Sequence, residues 1–311
     1  MKNNFTLLIA LFAAISFVSC ERFAEGVVHE IAFPEHSPRL AVTVISGDRD
    51  THLLAQVTSS ASVLDSAGPQ PVSGAVISLR LGEDAVLFTL GEEDFTDVAY
   101  KLNLEDVFGH YEGTMTLSVD APGFDPVTAT NVMPPIPEVS LTYEYQGDTT
   151  NSPWNGEEVI QDIYTLDLVN HPDLDDSYLV YVDALYIDPT TLDTLGWERV
   201  QLRSQADQRV TEESTTGGMM VSDVNAAAWS DGLSEITLFS KSHDVDQKWA
   251  PVALRMRVVA LSPELAKFYV STGDYLSGGF DLFAEPSLIY SNISSGFGCF
   301  GLSSQTVVEI D

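Results

Sequence analysis

The sequence predicts an all-β protein built as two β-sandwich-like domains with one short helix near the C-terminus. Three observations predict it. Short runs rich in branched residues recur along the chain between clusters of Gly, Asp, Pro and Ser, as strands of small sandwiches do. Met133-Pro134-Pro135-Ile136-Pro137 sets three prolines in four positions, which neither a helix nor a central strand accepts, so an extended connector divides the chain there. Helix-start signals stand out at one place, from Ser262 onward. The composition allows such cores, with 44% hydrophobic and 10% aromatic residues in 311. It also excludes a class of partner. With 46 acids against 14 bases the net charge is −32, and no basic stripe exists to release counterions from a nucleic acid.

Taken in order, Met1-Lys2-Asn3-Asn4 is short and mildly basic, and Phe5 to Val18 is apolar except at Thr6 and Ser16. That is a secretory hydrophobic region, too short for the roughly twenty residues a membrane span needs. It ends in Phe17-Val18-Ser19-Cys20, which resembles the lipobox of bacterial lipoproteins, a small residue directly before the Cys that is lipidated; Phe17 stands where Leu is usual. The resemblance implies a signal peptide over residues 1–19, lipidation of Cys20 and a lipidated tether over 20–35. An ordinary signal peptide with Cys20 near the cut is the competing reading. Lipidation would leave Cys299 without a disulfide partner, and among the aromatics of Phe297-Gly298-Cys299-Phe300 it reads as a small buried hydrophobe.

The N-terminal domain is expected over residues 36–133. Leu40–Ile45, Ala75–Leu81 and Gly113–Val119 are its clearest strands. Pro71-Val72-Ser73-Gly74-Ala75-Val76, then Gly109-His110-Tyr111, then Asp120-Ala121-Pro122-Gly123-Phe124 resemble the strand and turn order of transthyretin-like sandwiches, and immunoglobulin-like sandwiches share such strings.

After the Pro-rich linker, 134–138, a β-rich C-terminal domain is expected over 139–311. Tyr178 to Ile187 is one long apolar run. Val252 to Leu261 alternates, with Leu254, Met256 and Val258 on one face and Arg255 and Arg257 on the other, so that strand is half-buried. Ser262-Pro263-Glu264-Leu265 supplies an N-cap, a first-turn Pro and an acid at the positive helix end; Leu265, Phe268 and Tyr269 follow at helical spacing, and the helix should stop before Gly278-Gly279.

The string Leu261-Ser262-Pro263-Glu264, the aromatic helix around Phe268-Tyr269, then Phe283-Ala284-Glu285-Pro286, Ser291-Asn292-Ile293, Gly296-Phe297-Gly298 and Phe300 resembles domain of unknown function 4249, a family of Bacteroidota cell-envelope lipoproteins. Ala266-Lys267-Phe268-Tyr269 departs from the family's usual paired tyrosines, and the acidic content is high for it. The resemblance implies an outer-membrane lipoprotein, often encoded beside TonB-dependent transporters, with no established activity and no agreed catalytic residues.

Motifs for chemistry are few. Neither a Gly-x-Ser-x-Gly elbow nor a His-Glu-x-x-His zinc helix occurs, and neither Gly217-Gly218 nor Gly278-Gly279 precedes the Lys-Ser/Thr of a phosphate loop. Calcium is the ion best suited to so acidic a chain. Asp173, Asp175 and Asp176 are the candidate ligands, with Asp244-Val245-Asp246 and Gly47-Asp48-Arg49-Asp50 as further acidic loops; none fits an EF-hand, and a solvated loop is the competing reading for each. All four Trp and nine of eleven Tyr follow the proline linker, the bias of a binding surface or of a larger core. Trp154, in Asn151-Ser152-Pro153-Trp154-Asn155-Gly156, is the candidate ligand-stacking residue because its loop offers little to pack against.

The function expected is therefore a non-enzymatic outer-membrane lipoprotein, tethered through Cys20, that serves as an accessory or ligand-binding partner of a TonB-dependent β-barrel transporter. No cofactor and no nucleic acid are expected. A structural or adhesive surface protein is the alternative, followed by a hydrolase whose paired carboxylates are assembled by folding. Glu21 suits surface export while Arg22-Phe23 dilutes that signal, so periplasmic and surface sides both stay open.

Overall fold

Burial alternates with period two along most of the chain, as half-buried strands require: Leu40, Val42 and Val44 are buried with intermediate residues between them, and Leu254, Met256, Val258 and Ala260 repeat the pattern. The computed structural model describes residues 36–62, 66, 68–83, 85–151, 158–170, 176–187, 191, 193–204, 210–212, 216–222, 232–240, 243–244, 251–278 and 288–310. Pro38–Asp311 forms one compact unit.

Before the proline segment come β1 (Leu40–Gly47), β2 (His52–Ser59), β3 (Gln70–Pro71), β4 (Val76–Leu81), β5 (Ala85–Leu90), a single 3-10 turn at Glu92–Asp94, β6 (Tyr100–Asn103), β7 (Thr114–Asp120) and β8 (Val127–Val132). After it come β9 (Val139–Asn151), β10 (Glu158–Asn170), β11 (Ser177–Ile187), β12 (Thr194–Val200), β13 (Leu202–Arg203), β14 (Val210–Glu212), β15 (Met219–Ser222), β16 (Gly232–Ser240), β17 (His243–Asp244), β18 (Ala253–Leu261), helix α1 (Pro263–Gly278) and β19 (Phe297–Ile310). Among the described residues the protein is all-β with one helix near the C-terminus.

Ten strands share one sheet in the order β14-β15-β11-β18-β19-β1-β2-β3, with β12 on β11 and β6 on β2. Strand β19 carries the continuity. It pairs in parallel with β1 from Phe297 to Ser303 and antiparallel with β18 from Ser303 to Ile310. Residues paired across a ladder share a face, so the even-numbered residues of β11, β18 and β19 all point one way. Two smaller sheets cover that face. The four-stranded sheet β5-β4-β7-β8 closes a core around Val42, Leu53, Ile77, Leu79, Leu117 and Phe300. The sheet of β13-β16-β10-β17, with β9 on β10, closes a second core around Leu166, Val182, Leu238, Met256 and Val258. Between them the proline segment runs along β19, where Ser304 Oγ donates to Pro135 O at 2.7 Å and Thr306 Oγ1 to Pro137 O at 2.6 Å. Strands on either side of residues 134–138 thus belong to one sheet, joined through β19.

Helix α1 lies on the opposite face, where Leu265 and Ala266 bury against Leu179, Met220, Leu261 and Cys299. Its cap is Ser262, whose Oγ accepts the amides of Leu265 at 3.4 Å and of Leu302 at 3.2 Å. The helix includes Gly278, the first residue of the glycine pair before which the sequence places its end. Glycine is required at 298 for two reasons: φ is +105°, and a Cβ would lie 2.1 Å from Val42 O, inside the β1–β19 ladder. Asn292 supplies the matching clamp, accepting Phe300 N and donating to Phe300 O, both at 2.9 Å. The Asn292, Gly296, Gly298 and Phe300 string is thus a folding device.

Candidate functional site

The outward face of the ten-stranded sheet carries an arginine and aromatic cluster built from alternate residues of three strands. Tyr181 and Asp183 stand on β11, Trp197 and Arg199 on β12, Arg255 and Arg257 on β18. The ladder sets them in rows: Asp183 lies opposite both Arg199 and Arg255, Tyr181 opposite Arg257, and Leu185 opposite Trp197. Each inward neighbour on β11 and β18 is a buried aliphatic such as Val182, Met256 or Val258, so core packing fixes which way the polar residues point.

Asp183 is the hub. Arg199 Nε donates to its Oδ1 at 2.6 Å, Arg255 Nη2 donates to Oδ2 at 3.4 Å, and Arg257 Nε stands 3.5 Å from Oδ2. Burial alone would raise the Asp183 carboxyl, but the hydrogen bond and charge of Arg199, with Arg257 and Arg255 behind it, hold it below the ordinary carboxylate range. One carboxylate cannot neutralise three guanidinium groups. Among the described residues, Nε of Arg255 and of Arg257 are both buried without a hydrogen-bond partner.

The aromatics order the cations. Arg199 sits 4.5 Å and Arg257 5.2 Å from the Tyr181 ring centre, and Arg255 sits 4.7 Å from that of Trp197, all within cation–π range. Tyr181 is pressed against the chain at Gly218, where a Cβ would lie 2.6 Å from the ring. Side chains of the three arginines keep 33–38% of their surface, so the cluster faces solvent.

Beside it opens a pocket of about 340 Å³, lined on one wall by Tyr181, Arg199, Arg257 and Val259 and on the other by Gly47, Asp48, Asp50, Ser303 and Gln305. The acidic wall is held by the main chain. Asp48 N donates to Ser303 O at 3.1 Å and Asp48 Oδ1 accepts Gln305 N at 3.0 Å, while Asp50 Oδ2 accepts Gly47 N at 2.7 Å. Burial raises the Asp48 carboxyl above its ordinary value, against the Gln305 amide, Arg49 and His110, which all lower it. A smaller cavity of about 110 Å³ shares Tyr181 and Arg199 and reaches Val180, Leu202 and Met219.

Asp48 and Asp50 come from an acidic stretch singled out in the sequence, and Arg255 and Arg257 from the polar face of the predicted strand. Their meeting with Asp183, Arg199 and Tyr181 was not anticipated, although the i, i+2 pairs Tyr181–Asp183, Trp197–Arg199 and Arg255–Arg257 are the readable signal in a chain poor in cations. Cys20, Trp154, Asp173 and Asp175 lie outside the described residues, and Asp176 is buried just before β11. Among the described residues no group of three or more His, Cys, Asp or Glu is placed to hold a metal ion, and no helix is long and apolar enough to cross a membrane. Cys299 is fully buried, and burial with the nearby Glu264 pushes its thiol up to about 12.

A family model described as "Domain of unknown function (DUF4249)" matches residues 30–308. No curated protein matches the chain. Among solved structures, the full-length major pilin SpaD from Corynebacterium diphtheriae is similar at 12% identity and a TM-score of 0.21, over 72% of this chain and 61% of the pilin. The chain spans about six tenths of that pilin's length.

Proposed function

Because the chain belongs to the domain of unknown function 4249 family, we propose that it is a non-enzymatic lipoprotein of the outer membrane, anchored through Cys20, that serves as an accessory or ligand-binding partner of a TonB-dependent β-barrel transporter. The observation that carries this reading is the apolar run ending in Phe17-Val18-Ser19-Cys20. Lipid at Cys20 tethers the chain through residues 20–35, and the sandwiches project into the aqueous phase. The arginine and aromatic face with its pocket is the surface on which such a module would recognise cargo or partner, since it gathers three of the chain's nine arginines in an otherwise acidic protein.

The test is affinity isolation of the tagged, lipidated protein from gently solubilised envelopes, followed by mass spectrometry. A stoichiometric TonB-dependent barrel is expected. Recovery with no barrel above background overturns the partnership and leaves the structural or adhesive role, in which the sandwiches act as spacers. Separately, Cys20→Ser is expected to move the protein out of the membrane fraction, and retention there overturns the lipid anchor.

A further inference from the structure

The pocket between β11, β18 and the turn after β1 has walls of opposite charge. Arg199 and Arg257 line one side, Asp48 and Asp50 the other, with Ser303 and Gln305 along the acidic wall. We propose that it binds a small zwitterion, a free amino acid or short peptide whose carboxylate meets the two guanidinium groups while its ammonium faces the two aspartates. The assignment deepens the ligand-binding role proposed above and rests on it for its setting in the envelope.

The arginine wall carries more positive charge than its own acid can balance. Asp183 is shared among three arginines, and Glu309 stands opposite Arg255 in the β18–β19 ladder, which leaves Arg199 and Arg257 as the cations turned to the pocket. Among the described residues Arg257 Nε is buried with no hydrogen bond beyond its 3.5 Å ion pair with Asp183, and stacking on Tyr181 holds both guanidinium planes in place before any ligand arrives. A preset fork of this kind matches a carboxylate and loses little freedom on binding it.

The acidic wall explains why the ligand is dipolar. A bare anion would meet Asp48 and Asp50 across the cavity and the −32 charge of the whole chain on approach, while a ligand of zero net charge meets neither penalty. Asp50 keeps Oδ2 on Gly47 N, and among the described residues its Oδ1 has no backbone partner. A cavity of about 340 Å³ lies at the small end of ligand pockets, suited to an amino acid or dipeptide and too small for a folded partner.

The experiment is calorimetric titration of the full lipidated chain in detergent with dialanine, N-acetyl-dialanine, dialanine amide, free alanine and sodium sulfate. Dialanine or alanine is expected to bind, whichever binds more tightly naming the source, and blocking either terminus should weaken binding at least tenfold, the loss of one charge-assisted hydrogen bond. Arg257→Gln should weaken dialanine about tenfold and make it equal to the amide; Asp50→Asn, which keeps an acceptor for Gly47 N, should make dialanine equal to its acetylated form. Sulfate binding as tightly as dialanine, or no binding of any zwitterion, overturns the proposal. If Arg257→Gln does not fold, the blocked ligands on the unmodified chain and Asp50→Asn still decide. A barrel co-isolated without zwitterion binding removes this assignment alone, and zwitterion binding without a barrel removes only the partnership.

Discussion

Asn131 and Ser262, 131 positions apart and both buried, meet through a 2.9 Å hydrogen bond from Asn131 Nδ2 to Ser262 Oγ. The same Nδ2 donates to Phe300 O at 2.8 Å, so β8, the start of α1 and β19 are fastened at one point. Ser262→Ala leaves the Leu265 and Leu302 amides and Asn131 short of a partner. The expected cost is about 2–4 kcal/mol, a lost cap plus a buried unsatisfied donor. Urea unfolding should show a lower midpoint with an unchanged slope.

Gly298→Ala should be worse. The Cβ would fall on Val42 O at a positive φ, and neither backbone can retreat without opening the β1–β19 ladder. A loss above about 3 kcal/mol, or failure to fold, is expected, read by thermal melting and protease sensitivity. An unchanged melt would show that the ladder has another register.

Asp183 and Asp48 respond to pH in opposite senses. Asp183 is held below its unfolded value, so the stability it adds is complete above about pH 4 and is lost as the pH falls through its folded pKa. Asp183→Asn should cost about 1–3 kcal/mol at neutral pH, because three partly exposed cations lose their shared anion, and the gap should close in strong acid. Paired denaturant titrations at pH 7 and pH 3 measure it.

Asp48 is raised, so its ionisation opposes folding: stability grows as the pH falls through its folded pKa and declines as the pH rises through it. Asp48→Asn keeps an acceptor for Gln305 N and removes the buried charge. It should be neutral or stabilising at pH 7 and lose that advantage below about pH 4. A destabilised variant at pH 7 would mean that the charge itself is used there.

Cys299 gives a chemical readout. Buried, with its thiol pushed up to about 12, it should resist iodoacetamide in the native protein and react in guanidinium chloride. One thiol per denatured chain is expected if Cys20 carries lipid, and two if it does not.

Local features were legible in the sequence. The Ser262 cap and the alternation of β18 each depend on neighbours a few residues away. The path of β19 was not. Gly296, Phe297 and Gly298 were readable as a family string, but parallel pairing with a strand some 250 residues earlier leaves no local trace. The same limit applies to the pocket: Arg257 reads as an exposed strand residue until the fold sets Tyr181 beside it and brings Asp48 to the opposite wall.

The distance along the chain between β1 and β19 also governs the timing of folding. A polypeptide emerging N-terminus first, from a ribosome or an export channel, presents β1 long before Phe297 to Ser303 arrive, and the first core lacks Phe300 and Leu302 until then. Strand β1 is therefore held open by the lateness of β19, which delays closure of that core until some 250 further residues have passed. A truncation before Phe297 would leave one edge of β1 unpaired and prone to aggregate, so the arrival of β19 acts as the commitment step for the sheet.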